Sequence, residues 1–243
     1  MSLTEARLLA VSEIFGPTIQ GEGPAAGQSA MFLRLSGCNL DCSWCDTPFT
    51  WDWTGKNGTV YDKDVEETRM SLNEVVGELY DFLDERIRLV ISGGEPLLQK
   101  PALNTLISVL RDIQPNLQID IETNGTISPL NDEQIMYVIS PKVGSSGVER
   151  RSRWDKVLQG YLAKAKQGKA HLKFVIQDEN DAKEALEVIP YGWNKDSIWF
   201  MPEGITSDQL DNHNEVTANM AMKHGVNYGD RLHVRIWGDR RGV

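Results

Sequence analysis

The chain reads as an α/β protein built as an incomplete (β/α)6 barrel, and three observations predict this. Six short apolar runs of strand character recur along it, helical patterns lie between several of them, and the unusual polar motifs follow strand ends. Strands alternating with helices form parallel units with right-handed crossovers, and ligands gather at the carboxyl edge of such a sheet. Six strands fall short of the eight that close a barrel, so an open one is expected, with a flat doubly wound sheet as the alternative.

The first strand is Ser29–Leu35, short, mostly apolar and closed by Ser36-Gly37. Residues 54–71 are polar, carry Gly55, Gly58, Asp62, Asp64, Glu66 and Glu67, and read as a surface loop with no chemistry of its own. Residues 72–86 follow as a helix with Val75, Val76, Leu79, Phe82 and Leu83 on one face. Residues 88–92 form the second strand, and residues 101–113 a helix that begins with proline. Residues 118–122, 136–140, 171–176 and 197–201 supply the other four strands. Helices are expected at residues 155–166, 181–188 and 207–224, and Leu232–Trp237 is expected as a late strand.

With 243 residues, 40% of them hydrophobic, and no Pro/Gly/Ser-rich linker, the expected organisation is a single domain over residues 1–243. Residues 1–12 contain Glu5 and lack the apolar run of a leader, and nowhere do eighteen apolar residues run together. A soluble cytoplasmic protein without a membrane partner is expected. The formal net charge of −10 argues against broad contact with phosphate backbones, so no direct nucleic-acid partner is expected.

All three cysteines fall within eight residues, as Cys38, Cys42 and Cys45. A C-x3-C-x2-C loop can wrap three thiolates around three irons of a 4Fe–4S cube, and the chain has no fourth cysteine for the last iron. A structural zinc site is the alternative, but it normally needs four closed ligands, and His171, His213, His224 and His233 lie far downstream without ligand-pair spacing. An odd number of cysteines in a chain of this length does not suit a disulfide framework, so the thiols are expected to be reduced.

Other motifs sit at the ends of later strands. Ser92-Gly93-Gly94-Glu95-Pro96 lacks Cβ atoms at two consecutive positions, which lets backbone approach a ligand, although a Gly-Gly pair is also an ordinary turn. Ile119-Asp120-Ile121-Glu122-Thr123-Asn124-Gly125 alternates apolar and polar residues before an acid and an amide, an ending that can equally be a turn. Ser140-Pro141-Lys142 supplies a hydroxyl, a preset φ and a cation that suit a carboxylate. Gln20 offers both a hydrogen-bond donor and an acceptor, Arg34 can grip a carboxylate with its fork, and Trp51 offers an apolar ring. An arginine within a strand otherwise needs a buried partner or a snorkelling stem.

The cysteine spacing and the Gly-Gly-Glu motif one strand later resemble those of radical S-adenosylmethionine (SAM) enzymes. Together with residues 13–23, Arg34, Asp46-Thr47 and the Trp237-Gly238-Asp239-Arg240-Arg241-Gly242-Val243 segment, they resemble the 7-carboxy-7-deazaguanine synthase family nearly end to end. The resemblance implies a barrel of the radical SAM type, with residues 1–28 as a substrate-binding extension. It implies a 4Fe–4S cluster on Cys38, Cys42 and Cys45 with one open iron that SAM chelates, and cleavage of SAM to a 5′-deoxyadenosyl radical. It further implies ring contraction of 6-carboxy-5,6,7,8-tetrahydropterin with loss of ammonia, regeneration of SAM, assistance by Mg2+, and a product that feeds queuosine and related bases.

Residue by residue, the resemblance assigns Gly93, Gly94, Glu95, Glu122, Ser140, Pro141, Lys142, Phe200, Met201, Pro202 and Glu203 to SAM. Ile19, Gln20, Gly21, Arg34 and Ser92 go to substrate and Thr47 to Mg2+. A reductant such as flavodoxin or ferredoxin is expected, and a homodimer, with Ile198-Trp199-Phe200 as either core or interface. Two other readings fit parts of the sequence: a small activase that installs a glycyl radical in a partner enzyme, and a non-catalytic metal-binding module.

Overall fold

The computed structural model describes residues 8–84, 86–148 and 154–243. Residues 1–7, with Glu5 and most of the segment inspected for a leader, lie outside the described residues. Among the described residues no helix is long and apolar enough to cross a membrane.

All six expected strands form. They are β2 (Ser29–Leu35), β4 (Arg88–Gly93), β5 (Ile119–Thr123), β6 (Met136–Ile139), β7 (Ala170–Ile176) and β8 (Ile198–Pro202), paired in that order and all parallel. Three further strands extend the sheet. β1 (Leu8–Ile19) pairs antiparallel with β2, β3 (Thr68–Ser71) pairs antiparallel with β1, and the two-residue β9 (Asn227–Tyr228) pairs with β8. The order β3-β1-β2-β4-β5-β6-β7-β8-β9 does not return on itself, so the barrel stays open.

The period of two along each strand sorts side chains between the faces. Leu89, Ile91, Ile121, Ile139, Leu172, Phe174 and Phe200 point to one continuous apolar core. α2 (Leu72–Leu79), α3 (Lys100–Ile113), α4 (Trp154–Lys166), α5 (Glu179–Val188) and α6 (Ser207–His224) follow their strands and supply the rest of that core from one face each. Ile198 and Phe200 of the Ile198-Trp199-Phe200 stretch are buried in that core, while Trp199 between them is half-buried. The intervening residues, Arg34, Ser92, Glu122, Val138, Lys173 and Met201, face the opposite side and line one cleft.

Two expectations are corrected. Residues 54–71 are not wholly loop: Asp62 caps a short helix α1 (Lys63–Glu66) by accepting from Asp64 N at 3.0 Å, and β3 then covers the free edge of β1. Leu232–Trp237 is a helix, α7, with Arg235 N donating to Arg231 O and Gly238 N to Val234 O. Its alternating apolar residues resembled a strand, but β9 already occupies the sheet edge, and one helical turn brings Arg231 and Arg235 to acidic partners.

Candidate active site

The end of β4 lies directly beneath the start of the cysteine loop, which is why two glycines stand there. Gly93 has φ +138°, and a Cβ on it would fall 2.0 Å from Leu35 O; a Cβ on Gly94 would fall 2.3 Å from Gly37 O. The close approach is fixed by Gly94 N donating to Leu35 O at 3.2 Å and Glu95 N to Gly37 O at 2.8 Å. Glu95 itself turns away from the cleft. Its buried carboxylate accepts from Leu97 N, Thr123 Oγ1 and Asn124 N, tying the end of β4 to that of β5. Burial still pushes its carboxyl above the usual range, although those donors oppose the shift.

Cys38, Cys42 and Cys45 all line the cleft. Donors point at two of the sulfurs: Leu40 N at 3.4 Å from Cys38 Sγ, and Trp51 Nε1 at 3.3 Å from Cys45 Sγ. Burial raises all three thiols, Cys38 to about 12, so each is a protonated thiol until a cation replaces its proton. Sulfurs met by N–H donors, as those of Cys38 and Cys45 are, suit metal-bound thiolates, and three cysteines in one cleft suit three irons of a 4Fe–4S cluster. Lys142 lies 5.3 Å from the centre of the Trp44 ring and donates to Ser140 Oγ at 3.0 Å, setting a cation beside the same loop. Thr47 Oγ1 is 3.8 Å from Cys45 Sγ and also faces the cleft.

Across the cleft, Glu122 is a junction. Gln20 Nε2 donates to its Oε1 at 3.0 Å and Ser92 Oγ to its Oε2 at 3.2 Å. Gln20 is buried and its own Oε1 accepts from Glu22 N at 3.1 Å, so the amide is held in one orientation. The acid expected beside SAM thus shares hydrogen bonds with two residues expected beside the substrate. Arg34 Nε is 2.6 Å from Glu13 Oε1, and its guanidinium lies 5.5 Å from the centre of the Phe15 ring and 5.9 Å from that of Phe49.

Beneath these groups lies an ion network on which the sequence reading is silent. Glu22 accepts from Lys173 Nζ and, at 2.7 Å, from Arg231 Nε, while Arg231 also donates to Gly204 O at 2.6 Å and pairs with Asp46. Burial alone would raise the Glu22 carboxyl, but Lys173 and Arg231 hold it well below the usual range. Burial lowers His233, which packs against Gly21 so closely that a Cβ on Gly21 would meet its Nδ1 at 1.9 Å. The signal for Lys173 was a charged residue within an apolar strand, the same signal that singled out Arg34.

The cleft holds about 260 Å³ and gathers Ile19, Gln20, Gly21, Arg34, Thr47, Trp51, Ser92, Gly93 and Gly94. Glu122, Ser140, Lys142, Met201, Pro202 and Glu203 join them. Three predicted residues are not part of the lining. Glu95 is spent on β5, Pro141 is buried behind the wall, and Phe200 packs edge-on to Phe174 in the core because strand alternation sends its neighbour Met201 to the cleft instead.

An open parallel sheet whose first strand ends in a three-cysteine loop defines a radical SAM protein, and the sequence model of the Radical SAM superfamily matches residues 33–142. A 7-carboxy-7-deazaguanine synthase of Hyperthermus butylicus is 33% identical over 94% of this chain and 93% of its own length. One of Bacillus subtilis is 33% identical over 98% of this chain and the whole of its own. The chain belongs to the 7-carboxy-7-deazaguanine synthase family. Its fold is also that of QueE from Escherichia coli, with a TM-score of 0.65 at 24% identity over 93% of this chain and 95% of the other. The AdoMet-bound structure of native anSMEcpe shares it more distantly, with a TM-score of 0.50 at 16% identity over 81% of this chain and 62% of the other.

Proposed function

We propose that the chain is a radical SAM lyase that contracts the ring of 6-carboxy-5,6,7,8-tetrahydropterin, releases ammonia and yields 7-carboxy-7-deazaguanine for queuosine and 7-deazapurine formation. What supports this reading is one cleft lined both by three thiols and by Arg34, Ser92 and the hydrogen-bonded Gln20–Glu122 pair. When bound, the cluster and SAM supply a 5′-deoxyadenosyl radical generated by a single electron, from flavodoxin, ferredoxin or a similar donor.

Cys38, Cys42 and Cys45 would hold three irons and leave the fourth to the amino and carboxylate groups of SAM. Gly94 lets the cysteine loop pack close against the end of β4, and Lys142 offers the SAM carboxylate a cation. Arg34 presents a fork to the substrate carboxylate, Gln20 and Ser92 offer the pterin an amide and a hydroxyl, and the Glu122 carboxylate they orient is turned to SAM. Thr47 would give Mg2+ one hard oxygen, an ion that usually keeps substrate oxygens and water as its other ligands. The chain's own contribution is orientation: it sets one C–H bond toward the radical and keeps water away from it.

Anaerobically reconstituted protein given SAM, a one-electron reductant, Mg2+ and 6-carboxytetrahydropterin is expected to release 7-carboxy-7-deazaguanine. Formation of 5′-deoxyadenosine without that product would reject the substrate assignment.

A further inference from the structure

We infer that Arg241 determines the site's affinity for a carboxylated substrate by offsetting the charge of Glu13. This rests on the reading of Arg34 as the carboxylate fork and adds to it a residue far along the chain.

Arg34 does not stand alone in the cleft. Glu13 Oε1 lies 2.6 Å from its Nε, and a carboxylate that close cancels the charge an incoming anion would seek. The other oxygen of Glu13 is 2.9 Å from Arg241 Nε, so a second guanidinium shares the acid. Arg241 is held there from two more sides. Its Nη1 is 2.7 Å from Glu66 Oε2 on α1, and its guanidinium lies 3.7 Å from the centre of the Phe49 ring. Phe49 therefore has Arg34 and Arg241 near one ring, and Glu13 joins the same two arginines through its two oxygens.

The charge count gives the consequence. Arg34 with Glu13 sums to zero and with Glu66 to −1; Arg241 returns the group to zero, and Asp239 and Arg240, which also line the cleft, add one charge of each sign. Among the described residues the Nη groups of Arg34 have no hydrogen-bond partner, so the end of the fork is free for an anion while Glu13 fixes its Nε edge. Without Arg241 the fork keeps its position, but Glu13 cancels its charge and the group carries one uncompensated carboxylate.

The test is calorimetric binding of 6-carboxytetrahydropterin and of tetrahydropterin without the carboxylate to reconstituted, SAM-loaded protein. Arg241→Gln is expected to weaken binding of the carboxylated pterin by about threefold to tenfold, as befits a half-exposed charge, and to leave the other unchanged. Glu13→Gln in the Arg241→Gln background, which still accepts from Arg34, is expected to recover most of the loss, and Arg241→Lys to retain most of the affinity. Equal losses for both pterins, no loss, or no recovery in the double variant would overturn the inference in favour of a packing role. If wild-type protein shows no preference for the carboxylated pterin, the substrate reading itself falls, and this inference with it.

Discussion

Asp120 shows how a single position carries both fold and chemistry. It lies on the same face of β5 as Glu122, wholly buried, with Arg88 Nη1 at 2.6 Å on one oxygen and, among the described residues, no hydrogen-bond partner on the other. Burial raises its carboxyl to about 6, more than Arg88 lowers it. Because this lies above the unfolded value of about 3.9, the folded state holds this proton more tightly between the two, and the contribution of Asp120 to stability falls as pH rises through about 4 to 6. The contribution is about 3 kcal/mol. Asp120→Asn removes it, so the stability of wild type relative to the variant, from urea unfolding at pH 4.5 and 7, is expected to decline across that window; a constant difference would contradict the assignment. At this scale a charge interrupting an apolar run was informative at Arg34, and Lys173 carried the same signal without its role being legible. It was silent where the partner was remote: nothing near Glu22 in the chain announces Lys173 or Arg231.

At the scale of elements, the six parallel strands were legible because each is a short apolar run closed by turn residues. β1, β3 and β9 were not, since β1 mixes polar residues and Gly16-Pro17 into its length, the edge strand β3 is mostly polar and β9 is only two residues long. α7 was misread because six residues of alternating character fit either period. The glycine pair was read correctly as a place of close approach, but what approaches is the chain's own cysteine loop before any ligand. Gly94→Ala would drive a Cβ to 2.3 Å from Gly37 O and 2.8 Å from Cys38 Cβ, so the loop must shift. The expected result is loss of most bound iron after reconstitution, with helical circular dichroism retained. Full iron content in that variant would show that the loop tolerates displacement.

At the scale of the whole molecule, the cleft is an assembly of distant segments. Arg231 bonds to Glu22 and Asp46, 209 and 185 residues away in the chain, and so ties α7 to the turn after β1 and to the end of the cysteine loop. Sequence spacing cannot reveal such closure, which is why the site's contents were legible and its buried frame was not. Replacing Arg231 by Met leaves Glu22 with Lys173 and His233 and frees Asp46; removal of one partner from a buried ion pair typically costs about 3–5 kcal/mol. A matching drop in unfolding free energy is expected, and a change below about 1 kcal/mol would make the network dispensable. The open face that these contacts brace is where the account locates its chemistry. The most direct measurement is electron paramagnetic resonance of anaerobically prepared, reduced protein with and without SAM. The expected result is a 4Fe–4S signal that changes when SAM is added; no such signal, or one indifferent to SAM, would contradict a cluster with an open iron on Cys38, Cys42 and Cys45.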